Sequence, residues 1–353
     1  MISFETGLLG SNHGGIGREA LSSFDSLYEM DPENIVALTW ARQNANVVRS
    51  RRIQQVLPRK ISLGISLLIR RPLHLRTPRR TDLYLPQVLP FTISKRKGEV
   101  LVRLHDLFPI THPEWFTPKA VSLFKVSLNS LIARGAFFIP VSHSTERELM
   151  QIFPKANSLG VIHCHIPPLI DSEPCNNCRG CQFDTSKKYF LSVGTIEPRK
   201  NYEFLASLAG SVGDATLVVV GRVGWKSQET LELLEGTSGI SYLGQICDAA
   251  LANLYSHAGA FLSPSHEEGF NIPAFEAKRF GLPLLLSDIP VHRELHPDER
   301  LISISAKELW IEAIADSRFP KVERNIPTFA EYSERFRALL QKRPSLDGAS
   351  GRD

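Results

Sequence analysis

The chain has 353 residues, of which 42% are hydrophobic and 22% charged, with a formal net charge of +4. This fits a large globular chain with two hydrophobic cores, since single cores stop growing near about 250–300 residues. A charge so near balance, with no aromatic-studded basic module, argues against a nucleic-acid partner, and no run approaches the ~18 apolar residues of a membrane-spanning helix.

Strand and helix signals alternate along the chain, as a parallel α/β sheet requires. The amino terminus contains Glu5 and no basic leader, so it does not read as a secretion signal, and the expected location is cytoplasmic. Gly14 and Gly15 open a glycine loop that, by itself, reads as a turn after an amino-terminal strand. From Arg49 to Arg80 there are ten Arg or Lys residues and no acid, enclosing the apolar run Ile61–Ile69. Such a stretch suits peripheral docking on an anionic membrane, on the inner face of the plasma membrane, or equally a basic face folded around one buried element. Residues 98–104 read as a strand ending at His105 and Asp106, and residues 135–141 as another. Taken alone, His105 is an ordinary strand-end histidine.

Three cysteines, Cys175, Cys178 and Cys181, follow at regular spacing in a polar linker, with His163, Cys164 and His165 a short way upstream. Two readings stay open: reduced loop thiols, or a closed tetrahedral zinc site completed by one of those three upstream residues. Iron–sulfur ligation fits less well, because no fourth cysteine follows closely and no proline closes the run.

Residues 188–193 read as a strand, 194–201 as a loop, and 202–209 as a helix with Asn201 as its N-cap. Arg199 and Lys200 thus sit at a strand-to-helix turn, where a forked guanidinium and a point-charge ammonium can neutralise a diphosphate. A solvated basic turn is the plain alternative. A strand over 215–220 ends at Gly221 and Arg222, with Trp225 and Lys226 in the next loop. Residues 260–264 read as a short buried strand, followed by two carboxylates, Glu268 and Glu276, around a helix start. Pro273 suits the first helical position, Gly281 a left-handed C-cap, and 282–288 the next strand. Anions are favoured at such a helix start, at the ligand end of an open α/β sheet, which suits both carboxylates to accept from the hydroxyls of a nucleotide sugar; taken alone, the plainer reading is that Glu276 only favours the helix dipole and Glu268 is solvated. Residues 329–340 close the pattern with apolar residues at helical spacing.

The segments 194–201, 242–244, 254–255 and 263–276 stand in the order and spacing of glycosyltransferase family 4, which the chain resembles from about residue 1 to residue 340. Residues 14–18 resemble that family's glycine loop, His105 and Asp106 with 113–116 its His-Asp segment, and 141–145 the strand end before its domain crossover. The resemblance implies an α/β GT-B fold of two Rossmann-like doubly wound domains facing across a cleft. The expected divisions are an acceptor-side domain over 1–165, a Cys-rich linker over 166–185, and a nucleotide-sugar domain over 186–325. A carboxy-terminal helix over 326–343 returns to the first domain, and 344–353 form a tail.

The same resemblance implies a retaining transfer of a sugar from a nucleotide-diphosphate donor to a hydroxyl of a glycan or lipid-linked acceptor. Carried over residue by residue, Lys200 and Arg199 stabilise the leaving diphosphate, which should be the largest catalytic contribution. Glu268 contacts the donor sugar, Glu276 accepts from the ribose, and the backbone of Gly269, Phe270, Asn271 and Ile272 meets phosphate oxygens. Gly14 and Gly15 close from the other domain with His105 near the sugar, and Gly244 to Ile246 face the base. Some family members carry an arginine directly after the loop glycine. Thr195 stands there in this chain, which puts the phosphate charge on Arg199 and Lys200, with Arg222 as an assistant. No second carboxylate has a nucleophile's position, so front-face attack is expected rather than a covalent intermediate. The wording of 194–201 is similar to that of bacterial polysaccharide mannosyltransferases, which suggests GDP-mannose. No metal is needed for chemistry in such enzymes, so an ion at the cysteines would stiffen the hinge. A nucleotide-sugar epimerase of the same fold and a degenerate donor-binding subunit are the alternatives. The joint presence of Lys200 and Glu268 argues against degeneracy.

Overall fold

The computed structural model describes residues 2–5, 15–39, 52–55, 73–75, 81–89, 91–93, 98–169, 175, 177–316, 326 and 328–342. Gly14, most of the basic 49–80 stretch and the 344–353 tail lie outside the described residues. The chain forms two units, Met1–Thr111 with Pro118–His165 and Pro327–Asp353, and His112–Thr117 with Ile166–Ile326.

Among the described residues of the first unit, parallel strands pair in the order β3-β2-β1-β5-β7-β8-β9. They are β1 (Ile2–Glu5), β2 (Ile35–Thr39), β3 (Arg52–Gln55), β5 (Asp82–Leu85), β7 (Val100–Leu104), β8 (Phe137–Pro140) and β9 (Asn157–Ser158), while β4 (Leu73–Leu75) pairs with β6 (Phe91–Ile93) separately. The middle strands are apolar on both faces, as parallel strands covered by helices must be. Leu83, Leu85, Val102 and Phe138 enter one core, and Tyr84, Leu101 and Ile139 the other. Two helices, Gly15–Met30 and Phe329–Gln341, bring Phe24, Leu27, Phe336 and Leu340 to the second core. The later helix opens on a capping box in which Thr328 and Glu331 each satisfy the other's backbone N–H. Between the two helices lies a buried polar network. Arg103 Nε donates to Glu19 Oε1 at 2.8 Å, Ser23 Oγ bonds the same oxygen at 3.1 Å, and Tyr332 Oη lies 2.8 Å from Ser23 Oγ. Burial would discharge Arg103, but the Glu19 carboxylate beside it holds it protonated.

The second unit has the strand order β12-β11-β10-β13-β14-β15, all parallel. Its strands are β10 (Tyr189–Val193), β11 (Thr216–Val220), β12 (Ile240–Gly244), β13 (Phe261–Ser263), β14 (Leu284–Ser287) and β15 (Arg300–Ile302). Side chains alternate between two cores: Phe190, Leu217, Val219 and Leu262 pack with Leu205 and Trp310, whereas Leu191, Val218, Val220 and Phe261 pack with Leu254 and Ala277. In chain order the strands read third, second, first, fourth, fifth, sixth, so the winding reverses between β10 and β13. At such a switch point the helices leave in opposite directions and open a crevice at the carboxyl ends of the two strands. Those ends are Val193, which leads into the 194–201 loop, and Ser263, which leads into the 264–271 loop.

Candidate active site

The two loops are held side by side by their backbones and by one side chain. His266 N–H donates to Arg199 O at 2.8 Å, and Asn201 Nδ2 donates to Pro264 O at 3.1 Å. Asn201 holds the expected N-cap position, at the start of the Tyr202–Ser207 helix, in a left-handed conformation, φ 55° and ψ 45°, though not through a side-chain cap bond. Gly194 and Gly221 make the close strand ends possible, since a Cβ on Gly221 would sit 1.8 Å from Gly194 O.

This scaffold brings Lys200, Arg199 and Glu268 together. Lys200 Nζ lies 2.5 Å from Glu268 Oε1, Arg199 Nη1 pairs with Glu268 Oε2, and Ser265 Oγ donates to Glu268 Oε1 at 2.8 Å. A second acid, Glu197, binds Arg199 Nε at 2.6 Å. Lys200 and Glu268 are only 7% and 6% exposed, which makes their charges costly unless paired. Burial would raise the Glu268 carboxyl, but Arg199 and Lys200 outweigh it and hold it at about 2. Burial likewise lowers the Lys200 ammonium, opposed by Glu268. Glu268 is therefore an anion that can only accept hydrogen bonds near neutral pH, and the two cations are donors already held in place, Lys200 buried and Arg199 part-exposed.

Behind Glu268, the start of the Ile272–Arg279 helix is fixed by a neutral histidine. His292 Nδ1–H donates to Ser287 O at 2.7 Å, so its Nε2 accepts from Asn271 Nδ2 at 2.9 Å. Burial drives His292 down to about 4, which keeps that acceptor lone pair in place. Asn271 Nδ2 also donates to Ser263 Oγ at 3.0 Å, and the residue is held left-handed at φ 66° as N-cap. The backbone from Gly269 to Ile272 thus forms the turn into the helix N-terminus, where an anion is favoured. Glu276, one turn into that helix, is buried and accepts from Tyr255 Oη at 3.0 Å. Gly281 adopts the expected left-handed conformation after it, φ 69°.

Other expected residues lie on different elements. Gly244 closes β12 with φ 68° and its carbonyl accepts from Gly221 N–H at 2.9 Å; Ile246 is part-buried in the loop that follows. Arg222 is exposed. Residues His112–Thr117, although early in the chain, pack on the second unit: His112 stacks on Trp115 at 4.0 Å, Trp115 faces His266 at 6.3 Å, and Phe116 stacks on Trp225 at 5.4 Å. Lys226 Nζ donates to Glu114 O at 2.5 Å. In the first unit, Gly15 begins the Gly15–Met30 helix, and His105 follows β7 with Nε2 3.0 Å from Pro86 O. Burial lowers the His105 imidazole, so it is neutral, donates from Nε2 and presents Nδ1 as an acceptor.

The cysteine cluster gains a member and loses its expected upstream partners. Cys175, Cys178 and Cys181 converge with Cys247, all four sulfurs lying within 4.8 Å of one another. His163 instead faces His143, Cys164 accepts from Arg103, and His165 bonds Ser22 Oγ at 3.0 Å, all within the first unit. Reasoning from sequence missed His292 and gave no individual role to Glu197 and Tyr255, although both stand in the motif segments 194–201 and 254–255. Glu197 sits inside the loop motif and was available to the same charge argument; the other two lie 21 residues from the partners they bond.

Residues 179–316 match the family model for glycosyl transferases group 1. The chain is 29% identical over 213 residues to the serotype-specific mannosyltransferase WbdA of Escherichia coli, a match covering 54% of this chain and 26% of that protein. It is 27% identical over 225 residues to the O-antigen chain mannosyltransferase B of Escherichia coli, covering 60% of this chain and 59% of that protein. The chain thus spans about a quarter of the first relative and less than two thirds of the second. Among solved structures it superposes on Anabaena HepE, determined in complex with UDP and glucose, with a TM-score of 0.60 at 15% identity, covering 97% of this chain and 95% of that one. The fold is GT-B, and most of the second unit falls within the stretch that matches the glycosyl transferases group 1 model.

Proposed function

We propose that the protein is a retaining glycosyltransferase of family 4 that moves a sugar, read as mannose from GDP-mannose, to a hydroxyl of a glycan or lipid-linked acceptor in cell-surface polysaccharide synthesis. The observation that carries this reading is the placement of Lys200, Arg199 and Glu268 in one hydrogen-bonded group at the β10/β13 switch point. The curated relatives support the sugar, since their names give mannosyltransferases, and the complex of HepE supports a nucleotide-sugar donor.

In the proposed step, the acceptor oxygen bonds to the anomeric carbon while that carbon's bond to the donor phosphate breaks, on the same face of the sugar. The departing phosphate oxygen takes the acceptor's proton, so no enzyme nucleophile is used. Negative charge grows on the diphosphate as the bond breaks. Lys200 and Arg199 meet it with donors that need no reorganisation, because Glu268 and Glu197 already hold them in place. A carboxylate held at about 2 stays ionised to accept from sugar hydroxyls, the role assigned to Glu268. Glu276 takes the ribose hydroxyls, the turn from Gly269 to Ile272 the phosphate oxygens, and Gly244 to Ile246 the base. The basic 49–80 stretch meets the membrane that holds a lipid-linked acceptor.

A donor screen tests this reading. GDP release from GDP-mannose with an added mannoside acceptor, and the same anomeric configuration in donor and product by NMR, is the expected result. Nucleotide binding with no turnover across GDP- and UDP-sugars and a range of acceptors would instead describe a donor-binding subunit.

A further inference from the structure

We propose that Cys175, Cys178, Cys181 and Cys247 bind one zinc ion that ties the Cys175–Cys181 segment to the loop after β12, both within the second unit. Three sulfur separations carry the case: Cys178 to Cys181 is 3.5 Å, Cys181 to Cys247 is 3.6 Å and Cys178 to Cys247 is 3.8 Å. Zinc–thiolate bonds of about 2.3 Å in a tetrahedron put the sulfurs about 3.8 Å apart. A disulfide would need about 2.05 Å, and all four cysteines are free. An iron–sulfur cluster would place several irons and bridging sulfides among the thiolates and spread them further than these separations allow.

The surroundings fit a metal knuckle. Backbone N–H groups of Cys181 and Cys247 reach Cys178 Sγ, and that of Ala250 reaches Cys247 Sγ, which is how outer-shell donors orient thiolate ligands. Cys247 is the N-cap of the Asp248–His257 helix, at its positive end. Gly180, between two of the ligands, lets the chain approach that helix; a Cβ there would lie 2.9 Å from Ile246 and 3.1 Å from Ala250. The ligands are 66 residues apart at the widest adjacent step, from Cys181 to Cys247, so one ion ties two distant segments. The loop it fixes contains Ile246, adjacent to a ligand, and follows Gly244, the residues assigned to the donor base. That last consequence rests on the function proposed above, whereas the ion itself does not.

Metal analysis of the purified protein by mass spectrometry tests the site without any assay of turnover. One zinc per chain is expected in the wild type and in Cys164→Ser, and loss of it in Cys247→Ser. Cobalt exchanged into the wild-type protein needs no variant, and its visible bands should report four thiolates. Hydrogen exchange across 242–250 should quicken when the ion is removed with a chelator. A metal-free wild type whose four thiols alkylate freely overturns the proposal. So does bound iron in place of zinc, a cobalt spectrum of fewer than four thiolates, or zinc that survives Cys247→Ser but not Cys164→Ser.

Discussion

Glu268 is a buried anion with two cations and a hydroxyl around it, so altering either side of the pair has two separable effects. Lys200→Ala and Glu268→Gln are each expected to lower kcat by about 10²–10³-fold, the range seen when one preorganised donor is removed from a charged transition state. Lys200→Ala also leaves Glu268 with Arg199 alone, and melting curves should record a loss of stability. Wild-type turnover in both variants would remove the site. His292 provides a pH signature of its own. Its folded-state value is about 4 against an ordinary 6.5, so between those limits the unfolded chain binds a proton that the folded chain does not. Stability therefore falls as pH drops from about 6.5 to about 4, by about 3 kcal/mol, and changes no further below that. Glu268 acts in a lower window: its contribution is complete above its ordinary 4.5 and is lost as pH falls toward about 2. Chemical denaturation at several pH values should show the stability of the wild type falling relative to His292→Gln as pH drops from about 6.5 to about 4, with His292 causing no change in the difference outside that window. A flat difference would mean that His292 is not buried neutral. Lys200 and Glu268 were legible in the sequence because each sits at a strand-to-helix turn. His292 was not, because a neutral, buried histidine is defined by partners that only the folded sheet brings near.

At the scale of elements, the Phe329–Gln341 helix depends on two kinds of contact that mutation can separate. Phe336 is fully buried between Tyr84 and Tyr332, and Phe336→Ala should cost about 3–5 kcal/mol through the lost burial and the cavity left behind. Glu19→Ala should cost about as much for another reason, since it leaves Arg103 charged, buried and without its carboxylate. Replacing both partners, Glu19→Leu with Arg103→Met, should recover much of that loss. Equal instability of the single and double variants in urea melts would show that packing, not charge, dominates there. The helix itself was readable from its apolar spacing, and the interior strands from their unbroken Val, Ile and Leu runs. The 202–209 helix was read too long: its α-helical part ends at Ser207 and a 3-10 turn, Ala209–Ser211, follows. Asn201 stands at the N-cap as its position indicates, but its side-chain amide goes to Pro264 O, in a loop 63 residues away, a partner that local cap propensity does not reveal.

At the scale of the whole chain, alternating strand and helix signals indicate a parallel α/β architecture, since a parallel strand order needs a crossover helix at each step, whereas the two doubly wound domains are what the family resemblance implies. Two features were not legible: that residues 112–117 pack with the second unit, and that Cys247 joins the cysteine run. A six-residue segment carries no periodicity from which to assign it, and a ligand 66 residues onward is indistinguishable in sequence from a solitary cysteine. Each unit has its own pair of cores, so each has its own cooperative unfolding, and a ligand held by one should stabilise that one. Free GDP, at a concentration about 100 times its Kd, is expected to stabilise the second unit by about 2.7 kcal/mol. Hydrogen exchange resolves where that stabilisation falls. Peptides across 189–201 and 261–279 should slow, because they carry Arg199, Lys200 and the turn into the Ile272–Arg279 helix. Those across 100–104 and 329–341 should exchange at unchanged rates, since their protection comes from cores that contain no residue assigned to the nucleotide. Slowing confined to the first-unit peptides would place the diphosphate away from the β10/β13 switch point, and the charge-stabilised departure argued for Lys200 would have no leaving group to act on.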